Sequence, residues 1–455
     1  MTTMAGYSIA ARMDRLPITP LHRRATVVIG FGLFFDLYEV FLAGTLSSVL
    51  KKQFDLSGTG LTLLLASAFV GMFLGAITLG RMADRLGRRR AFLLSMSIYS
   101  VFTLLAAFSP NATMLVICRF FAGIGIGAEL PVSDTYLGDI LPPKDRGRFT
   151  AWAYTLSFLG VPLAGLLGHW LVPLQPLGLD GWRWLFIIGA LGAVIIFALR
   201  RGLPESPRWL SAVGRDDEAD AIVDRFETQA RERNLPLPEP AASTPTTQQG
   251  GKVSDLFGPG VRSRTLMMAV FQFFQTWGYY GFGTLAPIIL AAKGYDIVES
   301  LGFLTMTYLG YPIGSLLSIP LIERFERKYL IIAAAGAMAV FGILFGVSSG
   351  STMIVVFGFL YTAVSNIFSN SYHVYQAEIF PTRLRGTATS WTYSLSRLSS
   401  ALMPFVLLPL FHHTNTAVLF LVVAAAMLLV ATVILIFGPR TTGRTLTDVN
   451  LVSAN

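Results

Sequence analysis

Two carboxylates stand inside the first long apolar stretch of the chain, which reads FGLFFDLYEVFLAG over residues 31–44. Asp36 and Glu39 are three residues apart, so on an α-helix they share one face and can point into a common cavity. Two poorly hydrated carboxylates this close should not both stay ionised, so one of them is expected to hold a proton. The pair therefore suits a proton carrier. The alternative is that both acids only neutralise Arg119 or Arg397 in a static network.

Further charges fall inside long apolar runs, and each needs a function or a partner, because a charge at the centre of a bilayer costs about 2.5–3.5 kcal/mol. Glu129 precedes Pro131 at a point where a helix can bend and free backbone groups, which makes it a second candidate proton site. Arg119 is interpreted as structural, with Glu129 as its candidate partner. Two roles are considered for Asp134, a proton relay and a gating salt bridge.

Arg397 is predicted to bind the carboxylate of a ligand. A guanidinium keeps its proton and offers a planar fork that matches a carboxylate. The alternative is an ion pair with Asp36 or Glu39. Aromatic side chains and amides near these charges suit a flat or heteroaromatic carboxylate. The predicted binding residues are Arg397, Gln272, Gln275, Trp277, Tyr280, Asn370, Tyr38 and Tyr393.

The composition identifies an integral membrane protein. Of 455 residues, 53% are hydrophobic and 13% charged, where soluble domains carry about 25% charged residues. The mean hydropathy is +0.60, and the single cysteine, Cys118, excludes an internal disulfide framework. Apolar runs long enough to span a bilayer are predicted at 25–50, 61–80, 91–109, 114–140, 149–172, 182–200, 264–291, 299–320, 329–348, 351–380, 387–411 and 415–437.

Basic residues indicate the orientation of these twelve spans. With a cytosolic N-terminus, 29 of the 35 Lys and Arg residues fall in cytosolic segments and only four in outer loops. This asymmetry also accounts for the formal charge of +9 without a nucleic-acid partner. The predicted organisation is a cytosolic N-terminus (1–24), a six-helix bundle (25–200), a cytosolic central loop (201–263), a second six-helix bundle (264–437) and a cytosolic tail (438–455).

The two halves are related by an internal repeat. A shift of 239 residues aligns GDILPPKDRGRFTAW at 138–152 with AEIFPTRLRGTATSW at 377–391. Two such repeats suit a transporter whose site lies at the midplane between its halves. Under this shift Asp36 falls on Gln275 and Arg397 on Phe158. Charges present in only one half are better candidates for contact with a substrate or ion than for shared scaffolding.

The loop GRMADRLGRRR at 80–90 matches the G-x-x-x-D-R-x-G-R-R/K loop of the major facilitator superfamily, which the chain resembles over nearly its whole length. RFFAGIGIG at 119–127 resembles the fourth helix of that superfamily, and PESPRWL at 204–210 resembles the element that ends helix 6 in sugar porters. The resemblance implies an all-α membrane fold of twelve helices in two pseudo-symmetric bundles.

Within the superfamily the chain resembles bacterial metabolite–proton symporters, including nicotinate and aromatic-acid permeases. ARMDRLP at 11–17, the paired acids and SLSRLSSALMP at 394–404 carry this likeness. It implies proton-coupled symport of a small organic anion by alternating access. It also implies a multi-pass protein of the bacterial inner membrane, expected to be a monomer in lipid. A proton-coupled sugar or polyol transporter and an efflux antiporter are the alternatives.

Charges at the cytosolic helix ends are predicted to form gating networks that hold the outward-facing state. Exposed ion pairs contribute little singly, but a network whose partners separate can bias a two-state equilibrium. The predicted gating residues are Asp84, Arg85, Arg88, Asp139, Arg146, Glu378 and Arg385.

An enzyme is not expected. The sequence shows no nucleophile–base cluster, no metal-ligand spacing and no phosphate-binding glycine loop, since GIGIG at 123–127 lies inside an apolar run. No metal or cofactor is therefore predicted, and the coupling ion would be the proton. A sensor of transporter fold is the third class, but the central loop and tail leave little room for a signalling domain.

Overall fold

The computed structural model describes residues 7–240 and 252–441. Within these ranges, the side chains of residues 80, 81, 84, 377, 382, 383, 385 and 386 are outside the description. Two predicted gating residues, Asp84 and Arg385, are therefore outside the described side chains.

The described residues form α-helices and short 3₁₀ turns, without a β-strand. The helices are α1 (Ile9–Asp14), α2 (Pro20–Thr45), α3 (Ser47–Gln53), α4 (Gly58–Leu86), α5 (Arg88–Ala107), α6 (Ala112–Ile140), α7 (Pro143–Phe158), α8 (Gly160–Leu171), α9 (Gly181–Arg201), α10 (Pro207–Ala212), α11 (Asp216–Glu232), α12 (Arg262–Ala292), α13 (Ile297–Tyr308), α14 (Gly310–Arg324), α15 (Arg327–Val347), α16 (Ser351–Glu378), α17 (Thr382–His413) and α18 (Thr416–Phe437). Within the described part of the chain, ten helical segments are long and apolar enough to cross a membrane, with Pro143–Leu171 counted as one.

The long helices form two bundles, α2–α9 and α12–α18. Between the bundles, α2 packs on α12, α4 on α17, α7 on α14, and α8 on α13. We call the side of the molecule that carries α1, α10 and α11 the capped face, and the other side the opposite face. The helices that meet between the bundles carry most of the side chains predicted to act in binding.

The predicted run at 25–50 is divided near its end, at Leu46, and two further predicted runs are each broken into two helices near the middle. The run at 149–172 breaks at Leu159, and the run at 299–320 breaks at Leu309. Each of these two breaks is followed by glycine and, two residues later, proline, in the sequences LGVP and LGYP. A proline has no N–H and its ring clashes with the carbonyl four residues earlier. Those carbonyls belong to Phe158 and Tyr308, which are the last residues of α7 and α13.

The charged stretch predicted in the central loop forms α11, which holds α1 against the capped face. The Arg12 guanidinium contacts Asp220 at 2.7 Å, Asp224 at 2.5 Å and Glu227 at 3.1 Å. Arg15 also contacts Glu227, at 2.6 Å. The arginines of ARMDRLP therefore fasten the N-terminal segment to α11.

Candidate functional site

A cavity lies between the two bundles. The first bundle contributes the polar residues Asp36 from α2 and Tyr154 and Ser157 from α7, beside apolar side chains of α2, α4, α6 and α7. The second contributes residues of α12, α16 and α17. They are Gln275, Tyr279, Tyr280, Ser369, Asn370, Tyr372, His373, Tyr393, Ser396 and Arg397. The wall is thus rich in tyrosine and carries one acid and one guanidinium.

Arg397 is held in this wall by two tyrosines. Its Nη1 donates to the Tyr280 hydroxyl at 3.0 Å and its Nη2 donates to the Tyr393 hydroxyl. The guanidinium carbon also lies 4.8 Å from the Tyr393 ring centroid, at cation–π distance. Arg397 is 1% exposed, and its Nε has no hydrogen-bond partner among the described residues. Arg397 therefore does not form the alternative ion pair with Asp36 or Glu39 in this structure.

Asp36 is the acid of the cavity. It is 3% exposed, and neither carboxylate oxygen has a hydrogen-bond partner in the described part of the chain. Burial of an acceptor without a partner is unfavourable unless a proton, a ligand or a partner group compensates it. The carboxylate of Asp36 is therefore available to the contents of the cavity.

Glu39 does not share the cavity with Asp36, so the prediction of a common cavity for both acids is wrong. Arg119 of α6 donates through Nη1 to the Glu39 carboxylate and, at 3.2 Å, to the Glu39 main-chain oxygen. Both side chains are buried. The pairing of Arg119 with Glu129, considered from the sequence, is wrong for the same reason.

Glu129 pairs instead with Arg200, a residue that the sequence analysis counted among the cytosolic cations. Arg200 Nη1 lies 2.6 Å from Glu129 Oε2, and Ser95 Oγ donates to Glu129 Oε1 at 3.0 Å. Arg200 is 1% exposed. Gly32 makes room for it, since a Cβ there would lie 1.9 Å from Arg200 Nη2. The signal available in the sequence was Gly32, one of two glycines, with Gly30, shortly before Asp36 on the same stretch.

Asp134 contacts the cavity through a tyrosine that joins the bundles. The Tyr154 hydroxyl donates to Asp134 at 2.6 Å. The Tyr154 ring stacks on His373 at 6.0 Å, and His373 stacks on Tyr372 at 4.3 Å. The shift of 239 residues that relates Asp134 to His373 also relates Tyr154 to Tyr393. The repeat thus brings paired positions of both halves to one end of the cavity.

Three residues predicted to bind the ligand lie outside the cavity. The Tyr38 hydroxyl donates to the Leu185 carbonyl at 2.9 Å inside the first bundle, and Trp277 Nε1 donates to Ser399 Oγ at 3.1 Å. Tyr38 is two residues from Asp36, about 200° around the helix, and so faces away from the cavity. Gln272 donates to Gln376 at 2.5 Å. The sequence identified the helices that carry the aromatic residues, but it did not show which face of each helix points into the cavity.

Those contacts of the gating candidates that the structure describes lie within one bundle. Arg88 Nε lies 3.4 Å from Asp139 Oδ2, and Glu378 lies 3.4 Å from Arg327. Arg146 donates to the Leu141 carbonyl at 3.3 Å, while Arg85 is exposed.

The PESPRWL element adds two contacts at this face that the sequence analysis did not predict. Ser206 Oγ donates to Asp139 at 2.7 Å, and Arg208 Nε donates to the Asp139 carbonyl at 2.9 Å.

Residues 25–452 match the family described as "Sugar (and other) transporter". The chain belongs to this family. It is a membrane transporter of the major facilitator superfamily, and the predicted all-α fold is confirmed. The chain is 29% identical to the niacin transporter NiaP of Acinetobacter baylyi, over 97% of this chain and 100% of that one. It is 30% identical to a gentisate transporter of Corynebacterium glutamicum, over 84% and 80%.

The fold is similar to that of the xylose transporter XylE from E. coli in a partially occluded inward open conformation. The TM-score is 0.76 at 19% identity, with 93% of this chain and 99% of XylE covered. At this identity the likeness concerns the fold alone.

Proposed function

We propose that the protein is a proton-coupled symporter of a small organic carboxylate, aromatic or heteroaromatic, that works by alternating access. The observation that carries the proposal is the buried guanidinium of Arg397, which lies in a tyrosine-lined cavity between the bundles and contacts hydroxyl groups but no acid among the described residues. A substrate carboxylate would neutralise this guanidinium and accept charge-assisted hydrogen bonds from it. The names of the niacin and gentisate transporters, whose sequences are similar, agree with such a substrate.

The proton is proposed to be carried by Asp36. A buried carboxyl group without hydrogen-bond partners is favoured in its neutral form. When the cavity opens to water, hydration stabilises the ionised form and the proton can leave. Glu129 and Glu39 are secondary candidates, because each is already neutralised by its own arginine. Asp134, hydrogen-bonded to Tyr154, is proposed as a relay toward one end of the cavity.

The predicted architecture is retained as part of the proposal. It comprises twelve spans in the bundles 25–200 and 264–437, termini and a central loop in the cytosol, and a monomer in the bacterial inner membrane. In this orientation the capped face is cytosolic. The 29 basic residues assigned to cytosolic segments include Arg200, which is buried, so the asymmetry is slightly smaller than counted but still strong.

A sugar or polyol is the second candidate substrate. The amide cluster of Gln272, Gln275 and Gln376 supplies neutral hydrogen-bonding groups beside the cavity, and the matched family includes sugar transporters by its description. A neutral substrate would leave the charge of Arg397 uncompensated, which favours the carboxylate. Export by proton antiport is the remaining alternative, in which the same residues would bind proton and substrate in alternation rather than together.

Transport in proteoliposomes tests the proposal. An inward proton gradient should drive accumulation of a labelled aromatic carboxylate from a panel that also contains xylose and arabinose, and a protonophore should abolish it. Counterflow measures exchange without a gradient and reports transport in either direction. Accumulation of a sugar with no carboxylate transport would replace the proposed substrate class.

A further inference from the structure

The buried charges around the cavity do not all pair with one another. Glu39 is neutralised by Arg119, and Glu129 by Arg200. Asp36 and Arg397 are left, one on each bundle, and they line the same cavity without forming an ion pair. The cavity therefore presents a proton-accepting group on one wall and a guanidinium on the other.

We propose that Asp36 contacts the substrate directly, at a ring hydroxyl remote from the carboxylate that Arg397 binds. The preferred substrates are then hydroxylated aromatic carboxylates rather than unsubstituted ones. This inference rests on the proposed function, because it assumes that a carboxylate occupies the Arg397 end.

Four tyrosine hydroxyls of the cavity make hydrogen bonds with protein groups. Tyr280 and Tyr393 accept hydrogen bonds from Arg397, and Tyr154 donates to Asp134. Tyr279 donates to the amide oxygen of Asn366 at 3.3 Å. Asp36 is thus the acidic group of the described wall whose oxygens remain without a partner.

A hydroxyl is the substituent that fits both protonation states of Asp36. It donates to the ionised carboxylate, and it accepts from the protonated carboxyl group. An unsubstituted ring leaves both buried oxygens without a partner, which is unfavourable. A methoxy group can accept but cannot donate, so it should satisfy only the protonated form.

Arg200 is the group that could instead satisfy Asp36, because its Nε and Nη2 have no hydrogen-bond partners in the described structure. Its charge is already offset by Glu129, at 2.6 Å. If Asp36 served only to complete this network, its replacement would affect all ligands to the same extent.

The test measures competition for counterflow in proteoliposomes by benzoate, 3-hydroxybenzoate, 4-hydroxybenzoate and their methoxy analogues. In the wild type, at least one hydroxybenzoate should compete about tenfold more strongly than benzoate, the fold-change that one hydrogen bond to a charged group supplies. Its methoxy analogue should show that advantage only at acidic pH, where Asp36 holds a proton, and lose it as the pH rises. Equal competition by all five acids would overturn the inference without any variant being needed.

Variants locate the contact. In Asp36→Leu, hydroxybenzoate and benzoate should compete equally well to within about twofold. Asp36→Asn keeps an acceptor oxygen and should therefore retain part of the preference for hydroxybenzoate. Asp217→Asn, an exposed acid on α11, controls for net charge. An unchanged preference in Asp36→Leu, or an equal loss for every ligand, would refute direct contact. Failure of the proposed function looks different, since no carboxylate would then compete and Arg397→Ala would behave as the wild type.

Discussion

Asp36 and Glu39 lie on neighbouring turns of α2, yet their surroundings give them different roles. Glu39 faces Arg119 inside the first bundle, whereas Asp36 faces the cavity without a hydrogen-bond partner. Protonating Glu39 would leave the buried Arg119 charge uncompensated, which is costly. Protonating Asp36 would remove an uncompensated charge. We therefore expect the proton that moves with the substrate to bind Asp36 first.

Replacement of Asp36 by asparagine should separate coupling from binding. Asp36→Asn cannot exchange a proton, so gradient-driven accumulation should be abolished while exchange of labelled substrate is partly retained, because exchange needs no net proton movement. Accumulation and counterflow in the same proteoliposomes measure the two properties. Accumulation at the wild-type level would remove Asp36 from the coupling step and direct attention to Glu129.

The contributions of Glu129 and Arg200 to the free energy of unfolding should depend strongly on each other. Breaking this buried pair with Arg200→Met leaves a buried carboxylate without its cation and should lower the free energy of unfolding by about 3–5 kcal/mol. The double variant Glu129→Gln with Arg200→Met should lose less free energy of unfolding than Arg200→Met alone, because no unpaired charge remains. Denaturation of purified protein in detergent measures both, and additive losses would show that the pair is not energetically linked.

Charge selection by Arg397 can be tested with matched ligands. Arg397→Lys keeps the charge but loses the planar fork, so carboxylate affinity should fall yet remain measurable. Arg397→Ala should lose about 2–5 kcal/mol of binding free energy. The amide analogue of the best substrate should bind the wild type poorly and lose little more in the alanine variant. Equal losses for acid and amide would assign Arg397 a structural role and favour the sugar alternative.

At the scale of the helices, the close approach of α8 to α2 depends on a glycine. A Cβ on Gly160 would lie 2.2 Å from the Phe34 carbonyl oxygen, whereas one on Gly147 of α7 meets nothing within 4 Å. Gly160→Ala should therefore destabilise the protein by about 1–3 kcal/mol. Gly147→Ala should be neutral or stabilising by up to about 1 kcal/mol. Thermal unfolding of the two variants compares them, and similar melting temperatures would contradict the packing argument.

The contact between α1 and α11 should depend on pH. Burial alone would raise the pKa of Glu227, but hydrogen bonds from Arg12 and Arg15 hold this pKa below the ordinary value of 4.5. A carboxyl whose pKa is lowered by folding adds stability above its ordinary pKa, and this stability is lost as the pH falls through the folded value. The contact should thus persist at neutral pH and weaken below about pH 4.5.

Replacement of Glu227 tests the contact at neutral pH. Glu227→Gln removes the charge that Arg12 and Arg15 share, so limited proteolysis should cleave the N-terminal segment faster than in the wild type. Asp217→Asn on the same helix is the control. Equal cleavage rates in both variants would show that the other contacts of Arg12 suffice.

The sequence predicted the helices better than their details, for physical reasons. Apolar composition and the 239-residue repeat identified the runs and the family, because both are properties of long segments. The breaks at Leu159 and Leu309 were missed since averaged hydropathy hides one proline. Arg200 was missed because a cation at the end of an apolar run resembles a loop cation, and only the packing of α2 shows that it is buried. Asp36, Arg397 and Tyr280 do lie on the cavity wall, although their roles remain predictions.

Contacts across the whole molecule indicate which parts must separate during transport. Near the opposite face, His169 bonds to the Val298 carbonyl at 2.9 Å and Ser48 to the Pro287 carbonyl at 3.4 Å. Closer to the capped face, the bundles touch through Thr155 and Ser315 at 3.1 Å and through the Tyr154–His373 stack. Alternating access requires that these two sets of contacts open in turn, since opening both would leave a continuous pore.

Gly44 gives a way to shift that equilibrium. A Cβ there would lie 2.7 Å from the Gly283 carbonyl oxygen of α12, so Gly44→Trp should force α2 and α12 apart at the opposite face and populate the state that is open there. A cysteine at Gln275, in a Cys118→Ser background, should then react faster with an impermeant thiol reagent added from that face, while net transport falls. Gly336→Trp on α15, where a Cβ meets nothing within 4 Å, should change neither. Unaltered labelling in Gly44→Trp would mean that the α2–α12 contact does not separate during the cycle.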